Sequence, residues 1–189
     1  ATWSAGIYGE ITPDAFSQML RLLHVRPGMR FYDLGSGTGK TIAIAAHVFQ
    51  LNATGIELSK DRHNAGCTAL AALQRSSTST GPKASDDPRA ELVHGSFFDY
   101  DFSDAEVIFM DSVEFTEAMM ARIAELGRSL KKGTRIATWK TLPGEDYRHV
   151  DTMELKGTWG GMAVQVFEKT TEPRPPLALT LPSRAAERC

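Results

Sequence analysis

The sequence predicts a doubly wound α/β domain built on a mostly parallel, seven-stranded sheet that ends in an antiparallel strand pair. Three observations predict it. Helical and strand-like apolar patterns alternate along most of the chain. A loop with glycines at alternating positions, Gly35-Ser36-Gly37-Thr38-Gly39, follows the first apolar run at once. Acids and small polar residues recur where the strands end: Asp33, Glu57, His94-Gly95-Ser96-Phe97 and Asp111. In sheets of this kind ligands bind beyond the carboxyl ends of the strands.

The elements follow in order. Thr12-Pro13-Asp14 reads as an N-cap, a proline at the first helical position and an early acid, opening a helix to about His24 with Phe16, Met19, Leu20 and Leu23 on one face. Pro27-Gly28 ends it. Arg30 to Leu34 is the first strand. Lys40 to Gln50 is helical, Ala53 to Glu57 a strand, and Ser59 to Gln74 helical again. Arg75 to Arg89 has no apolar period and reads as a polar surface loop. Glu91 to His94 is a short strand, and Ala105 to Asp111 is apolar enough to be central and covered on both faces. A helix from Thr116 to Leu130, a strand from Thr134 to Trp139, and the pair His149–Lys156 and Met162–Lys169 around a glycine-rich turn complete the domain, 1–172. Residues 173–189 are proline-rich with no periodic apolar face, and read as a disordered tail.

The glycine loop carries the strongest ligand signal. Glycine has no Cβ to clash, so the backbone can pass close to a bound group. Dinucleotide binding requires Gly-x-Gly-x-x-Gly; here the spacing is Gly-x-Gly-x-Gly, and Asp33 two residues before it would repel a pyrophosphate. Gly37-Thr38-Gly39-Lys40-Thr41 imitates the end of a phosphate-binding P-loop, but Leu34 stands where that pattern needs its first glycine. The cationic methionine end of S-adenosylmethionine (SAM) suits Asp33, and Glu57, 22 residues past Gly35 at the end of the next strand, is placed to accept the ribose hydroxyls. SAM is the favoured ligand; a nucleoside triphosphate, NAD and a plain turn are the alternatives.

The bulk composition bounds the reading. The chain has 189 residues, 42% hydrophobic, enough for one domain with a core. A formal charge of −2 supplies no basic field for autonomous nucleic-acid binding. No apolar run is long enough to span a membrane, and Ala1 to Gly9 shows no signal pattern. Two cysteines, Cys67 and Cys189, make no disulfide framework, so an intracellular compartment, cytoplasmic or nuclear, is expected, with Cys67 a small buried apolar residue. His47, His63 and His94 show no metal-ligand spacing, and no metal is expected. Oligomeric state is not legible.

Tyr8-Gly9-Glu10 before the first helix, Asp33-Leu34-Gly35-Ser36-Gly37 and Gly55-Ile56-Glu57 together resemble the Dot-type (disruptor of telomeric silencing) non-SET protein-lysine methyltransferases, within the class I SAM-dependent methyltransferases. Gly95-Ser96-Phe97-Phe98, Val107 to Asp111, Gly133 to Lys140 and Leu155-Lys156-Gly157 with Trp159 extend the resemblance over roughly residues 7 to 169. It implies a Rossmann-like fold and methyl transfer from SAM to a lysine on a protein, with a histone as the candidate target. Tyr8, Gly9, Glu10, Asp33, Gly35, Ser36, Gly37, Gly39, Lys40, Glu57, Ser96, Phe97 and Asp111 would bind the cofactor, and Asp111, Tyr8 and Trp159 would serve the transfer. The chain departs from the family pattern near the acceptor: Asp111-Ser112-Val113 replaces Asn-Asn-Phe, and Val166 stands where an aromatic would line the lysine channel.

Each residue also has a plainer reading. Asp111 would cap the next helix, Phe97 and Trp159 would be packing aromatics, and Tyr8 and Glu10 would make a helix-entry contact. A methyltransferase for a small molecule or RNA, and a non-catalytic SAM-binding module, are the alternative functions.

Overall fold

The computed structural model describes residues 11–77, 89–157, 160–176 and 187–189. Tyr8, Gly9, Glu10 and Trp159 lie outside the described residues, as does most of the polar stretch before Arg89.

The first helix, α1 (Pro13–Leu22), starts as its sequence dictates: the Thr12 hydroxyl accepts a hydrogen bond from the Ala15 amide at 3.3 Å, with proline just inside the start. The same hydroxyl donates to the Lys156 carbonyl at 3.0 Å, fixing the helix entry to a distant strand. Then follow β1 (Arg30–Leu34), α2 (Lys40–His47), β2 (Asn52–Glu57), α3 (Lys60–Ser77), β3 (Ala90–His94), β4 (Val107–Met110), α4 (Glu117–Leu126), β5 (Arg135–Thr138), β6 (Tyr147–Gly157), β7 (Gly160–Lys169) and β8 (Glu187–Arg188). Several boundaries differ from the sequence reading. α3 runs on to Ser77, past the expected end at Gln74, so residues 75–77 are helical and not the start of the polar loop; α1 ends at Leu22, short of His24. The helix expected to reach Gln50 stops at His47, and the chain turns through Gln50 at φ 57°. The helix expected to reach Leu130 ends at Leu126 and tightens into a 3-10 turn over Gly127–Ser129. Gly127 there has no room for a Cβ beside the Tyr147 hydroxyl.

The strand order is β6-β7-β5-β4-β1-β2-β3-β8. Strands β3, β2, β1, β4 and β5 are parallel; β7 joins β5 antiparallel, and β6 and β7 form the expected antiparallel pair. Chain direction through the sheet reverses between β1 and β4, which opens a crevice at their carboxyl ends. Both faces are covered. One core gathers Phe16, Met19 and Leu20 of α1 with Ile42 and Ala45 of α2 and alternate strand residues, with Phe16 edge-on to Phe31 and Phe109 at ring separations of 5.8 and 5.7 Å. The other packs Met120, Ile123 and Leu126 of α4 against Tyr32, Ile108 and Ile136. Val166 is 2% exposed and packs in the first core.

Residues 187–189 correct the expectation of a tail disordered throughout 173–189. β8 is an eighth strand: Arg188 and Glu187 pair antiparallel with Val93 and His94, and Cys189 exchanges backbone hydrogen bonds with Leu92 at 2.9 and 3.0 Å. Cys189 also forms a disulfide with Cys67 of α3, across 122 residues of sequence. The expectation of two unlinked cysteines fails because strand pairing at the sheet edge, invisible in the sequence, carries Cys189 to α3.

Candidate functional site

The site is built where β1, β2 and β4 end. Asp33 pairs across the sheet with Gly55 and Phe109, so its neighbours there carry no competing charge. Its side chain is 2% exposed. Thr41, in the first turn of α2, donates its hydroxyl to one Asp33 oxygen in a short hydrogen bond; the other oxygen, Oδ1, is buried without a partner among the described residues. Burial, opposed by the Thr41 bond and reinforced by the Asp111 and Glu57 charges, pushes the Asp33 carboxyl up to about 7. Asp33 of β1 and Asp111, just past the parallel neighbour β4, lie at the carboxyl ends of adjacent strands, on one side of the sheet.

The glycine loop crosses above them. Gly35 and Gly37 sit at φ 105° and 56°, which a side chain disfavours, and this lets the loop fold back over the strand ends. Gly39 precedes α2 in the left-handed region, with Lys40 as the first helical residue. The loop is closely seated: a Cβ on Gly55 of β2 would lie 2.6 Å from the Ser36 side chain. Ser36 is itself buried, and its hydroxyl has no hydrogen-bond partner among the described residues. Buried polar atoms without partners are rare in native proteins and often mark the place of an absent group. Asp33 Oδ1 and Ser36 Oγ are two such atoms on one loop.

Glu57, 4% exposed, ties this loop to α3. One oxygen accepts from the Gly37 amide at 2.9 Å; the other accepts from the Ser59 amide at 2.7 Å and from Arg62 at 3.1 Å. A carboxylate has about four acceptor positions, so this leaves capacity for a ribose hydroxyl. The sequence signalled the acid but not Arg62, whose role follows from the first turn of α3 swinging back over β2.

After β3, Ser96 caps a single 3-10 turn over Phe97–Asp99, accepting from the Phe98 amide at 3.1 Å. Phe97 lies half-buried against Phe98 and Phe115, with rings 4.6 and 5.5 Å apart. Asp111, just past β4, accepts a long hydrogen bond from the Val113 amide, at 3.5 Å. The cap of α4 is Thr116, which accepts from the Met119 amide at 3.2 Å, so Asp111 does not cap that helix. Burial raises its carboxyl above the ordinary value, the Val113 amide opposes this, and Glu114 adds to it. Beneath it, the fully buried Ser112 bonds Thr138 at 2.8 Å and accepts from the Lys140 amide at 2.9 Å, bolting the loops after β4 and β5 together. In the sequence Ser112 stands out only as part of the Asp111-Ser112-Val113 departure, and nothing local signals its bond to Thr138. Asp33, Gly35, Ser36, Gly37, Gly39, Lys40, Glu57, Ser96, Phe97 and Asp111 thus all fall on the carboxyl side of the sheet.

The residues present fit SAM. An acid with an unpartnered buried oxygen matches an ammonium, a second acid at the next strand matches a ribose, and a half-buried aromatic after β3 offers a face for an adenine.

Comparison with known proteins agrees. A structure of an RNA methyltransferase from Salinibacter ruber in complex with S-adenosyl-L-homocysteine superposes with a TM-score of 0.62, 19% identity, and coverage of 90% of this chain and 98% of that one. TrmN from Thermus thermophilus gives a TM-score of 0.65 at 18% identity, over 87% and 51% of the two chains. At these identities the likeness is one of fold: the Rossmann-like fold of the class I SAM-dependent methyltransferases. Among sequences, a protein-lysine N-methyltransferase of Saccharolobus islandicus (strain REY15A) is 33% identical over 129 residues, covering 67% of this chain and 72% of that protein. An H3 lysine-79 specific histone-lysine N-methyltransferase of Caenorhabditis elegans is 31% identical over 148 residues, 75% of this chain but 15% of the nematode protein. The chain therefore spans only a small part of that relative. The family profile described as histone methylation protein DOT1 matches residues 1–172. With the glycine loop, the paired acids and the strand order all accounted for, this chain belongs to the DOT1 family.

Proposed function

We propose that this protein is a SAM-dependent methyltransferase that transfers a methyl group to a lysine side chain of a protein, with a histone as the first substrate to test. The observation that carries the reading is the placement of Asp33, with its unpartnered buried oxygen, Glu57 and Asp111 at neighbouring strand ends of a DOT1-family chain.

Bound SAM would supply an electrophilic methyl on a sulfonium. The chain's own residues would position and desolvate. Asp33 and the Ser36 hydroxyl take the methionine end, Gly35, Gly37, Gly39 and Lys40 frame it, Glu57 takes the ribose, and Ser96 and Phe97 bound the adenine. Tyr8, Gly9 and Glu10 are assigned to the methionine end, and Tyr8 and Trp159 to the acceptor channel, on the family resemblance. Asp111 faces the acceptor, where a carboxylate attracts an incoming ammonium. An amine attacks only as the neutral base, and exclusion of water by the Phe97–Phe115 side of the site lowers an ammonium pKa in that direction.

The test is transfer of labelled methyl from SAM to histone octamers, nucleosomes and a cell extract, with the labelled species identified by mass spectrometry. Label on lysine supports the proposal. Label on RNA or a small molecule overturns the acceptor assignment, and SAM binding without any transfer reduces the protein to a binding module.

A further inference from the structure

Across the sheet from Asp111, β8 brings together groups that methyl transfer does not use. His63 and Cys67 stand one helical turn apart on α3, so both project from one face. Cys189 joins them from β8, and one ligand atom from each of His63, Cys67 and Cys189 lies within 4.8 Å of the others. The Cys67 sulfur is 3.5 Å from His63 Nε2 and 3.8 Å from Nδ1. A tetrahedral zinc ion, with Zn–S of about 2.3 Å and Zn–N of about 2.0 Å, holds its sulfur and nitrogen ligands roughly 3.5 Å apart. His63 is 4% exposed, and its Nε2 faces the Leu92 carbonyl at 3.4 Å. A backbone carbonyl on one ring nitrogen is the partner that commonly orients a metal-ligating imidazole; with Nε2–H on Leu92, Nδ1, 3.8 Å from the Cys67 sulfur, is the ligand atom. His94 lies alongside, its ring 5.5 Å from that of His63, with Glu187 3.8 Å from its Nδ1.

We propose that the dithiol form of the Cys67–Cys189 pair, with His63, is a zinc-type cation site that ties β8 to α3. Two thiolates and an imidazole are a soft ligand set that selects zinc over magnesium or calcium. A fourth position stays open to water or His94. The disulfide and the metal site are alternative states of the same atoms. Two electrons and two protons from a thiol reductant, itself oxidised to a disulfide, break the Cys67–Cys189 bond and leave two thiols. Metal binding then releases both thiol protons. The Cα atoms of the two cysteines, 5.7 Å apart, let their sulfurs either bond or part around one ion by side-chain rotation.

The experiment is titration of the fully reduced protein with Co²⁺ under anaerobic conditions, followed by displacement with Zn²⁺. One equivalent with thiolate-to-cobalt charge-transfer absorption is expected. Cys189→Ser removes one ligand from an exposed edge strand and leaves the cores intact. It should weaken binding by more than the roughly 10–100-fold that loss of an outer-sphere partner costs. His63→Gln should do the same. Failure of the reduced wild type to take up metal, absence of the thiolate band, or equal affinity in Cys189→Ser overturns the proposal. None of these readouts depends on SAM or on methyl transfer.

Discussion

The surroundings of Asp33 change its chemistry strongly. Its carboxyl ordinarily titrates at 3.8 and in the fold at about 7. Between those values the folded state keeps a proton that the unfolded chain has released. The stabilising contribution is therefore complete below about pH 4 and is lost as pH rises through about 7. The ligand-free protein should lose melting temperature, on the order of several degrees, across this window. Asp33→Asn should flatten the dependence. SAM affinity should run the other way, rising toward and above pH 7 as the carboxylate forms, and should fall in Asp33→Asn; calorimetry across pH checks both. Glu57→Ala should weaken SAM binding by at least several-fold. It should also cost stability, because it removes the acceptor of the Gly37 and Ser59 amides, at roughly 1–3 kcal/mol for a buried donor left unsatisfied. Denaturant melts with and without SAM separate the two effects.

At the scale of the element, the loops after β1 and β4 set the site. Seating of the glycine loop depends on β2 presenting Gly55 beneath Ser36. Gly55→Ala should destabilise the fold by about 1–3 kcal/mol, as overpacking does, and displace the loop. The expected readout is a lower denaturation midpoint together with weaker SAM binding. The loop after β4 gives a cleaner separation of roles. Because Thr116 caps α4, Thr116→Ala should cost about 1 kcal/mol in stability with methyl transfer little changed. Asp111→Asn should leave stability close to wild type and change the kinetics instead. A raised KM would mark ammonium recruitment, and a raised kcat with a lower pH optimum would mark relief of hindered deprotonation.

For the whole molecule, the edge strand β8 and its disulfide join the chain across 122 residues. A crosslink closing a loop of about this size stabilises typically by about 2–4 kcal/mol. Under non-reducing conditions without metal, deletion of residues 173–189 should therefore lower the melting temperature. Under reducing, metal-free conditions the same deletion should matter much less. Lys60 and Arg188 add ion pairs to β8, but these are solvent-facing and screened. Among the described residues no helix is long and apolar enough to cross a membrane.

Most of the fold was legible in the sequence, because its signals are local. Thr12-Pro13 opens α1 through a hydrogen bond three residues long. The apolar run from Val107 to Met110 needs cover on both faces wherever it lies. The glycines of the loop adopt backbone angles that other residues disfavour. Asp33, Glu57 and Asp111 were legible as site candidates because each directly follows or ends an apolar strand. Only the tertiary structure decided the partners of those acids. It joined Glu57 to Gly37 and Arg62, left Asp33 Oδ1 and Ser36 Oγ without partners among the described residues, and gave the cap of α4 to Thr116. It also brought Cys189 to Cys67 and His63. The helical spacing of His63 and Cys67 was in the sequence, but their third partner came from the far end of the chain. Strand pairing at a sheet edge is a backbone interaction that depends on which edge is free, and no local pattern encodes that.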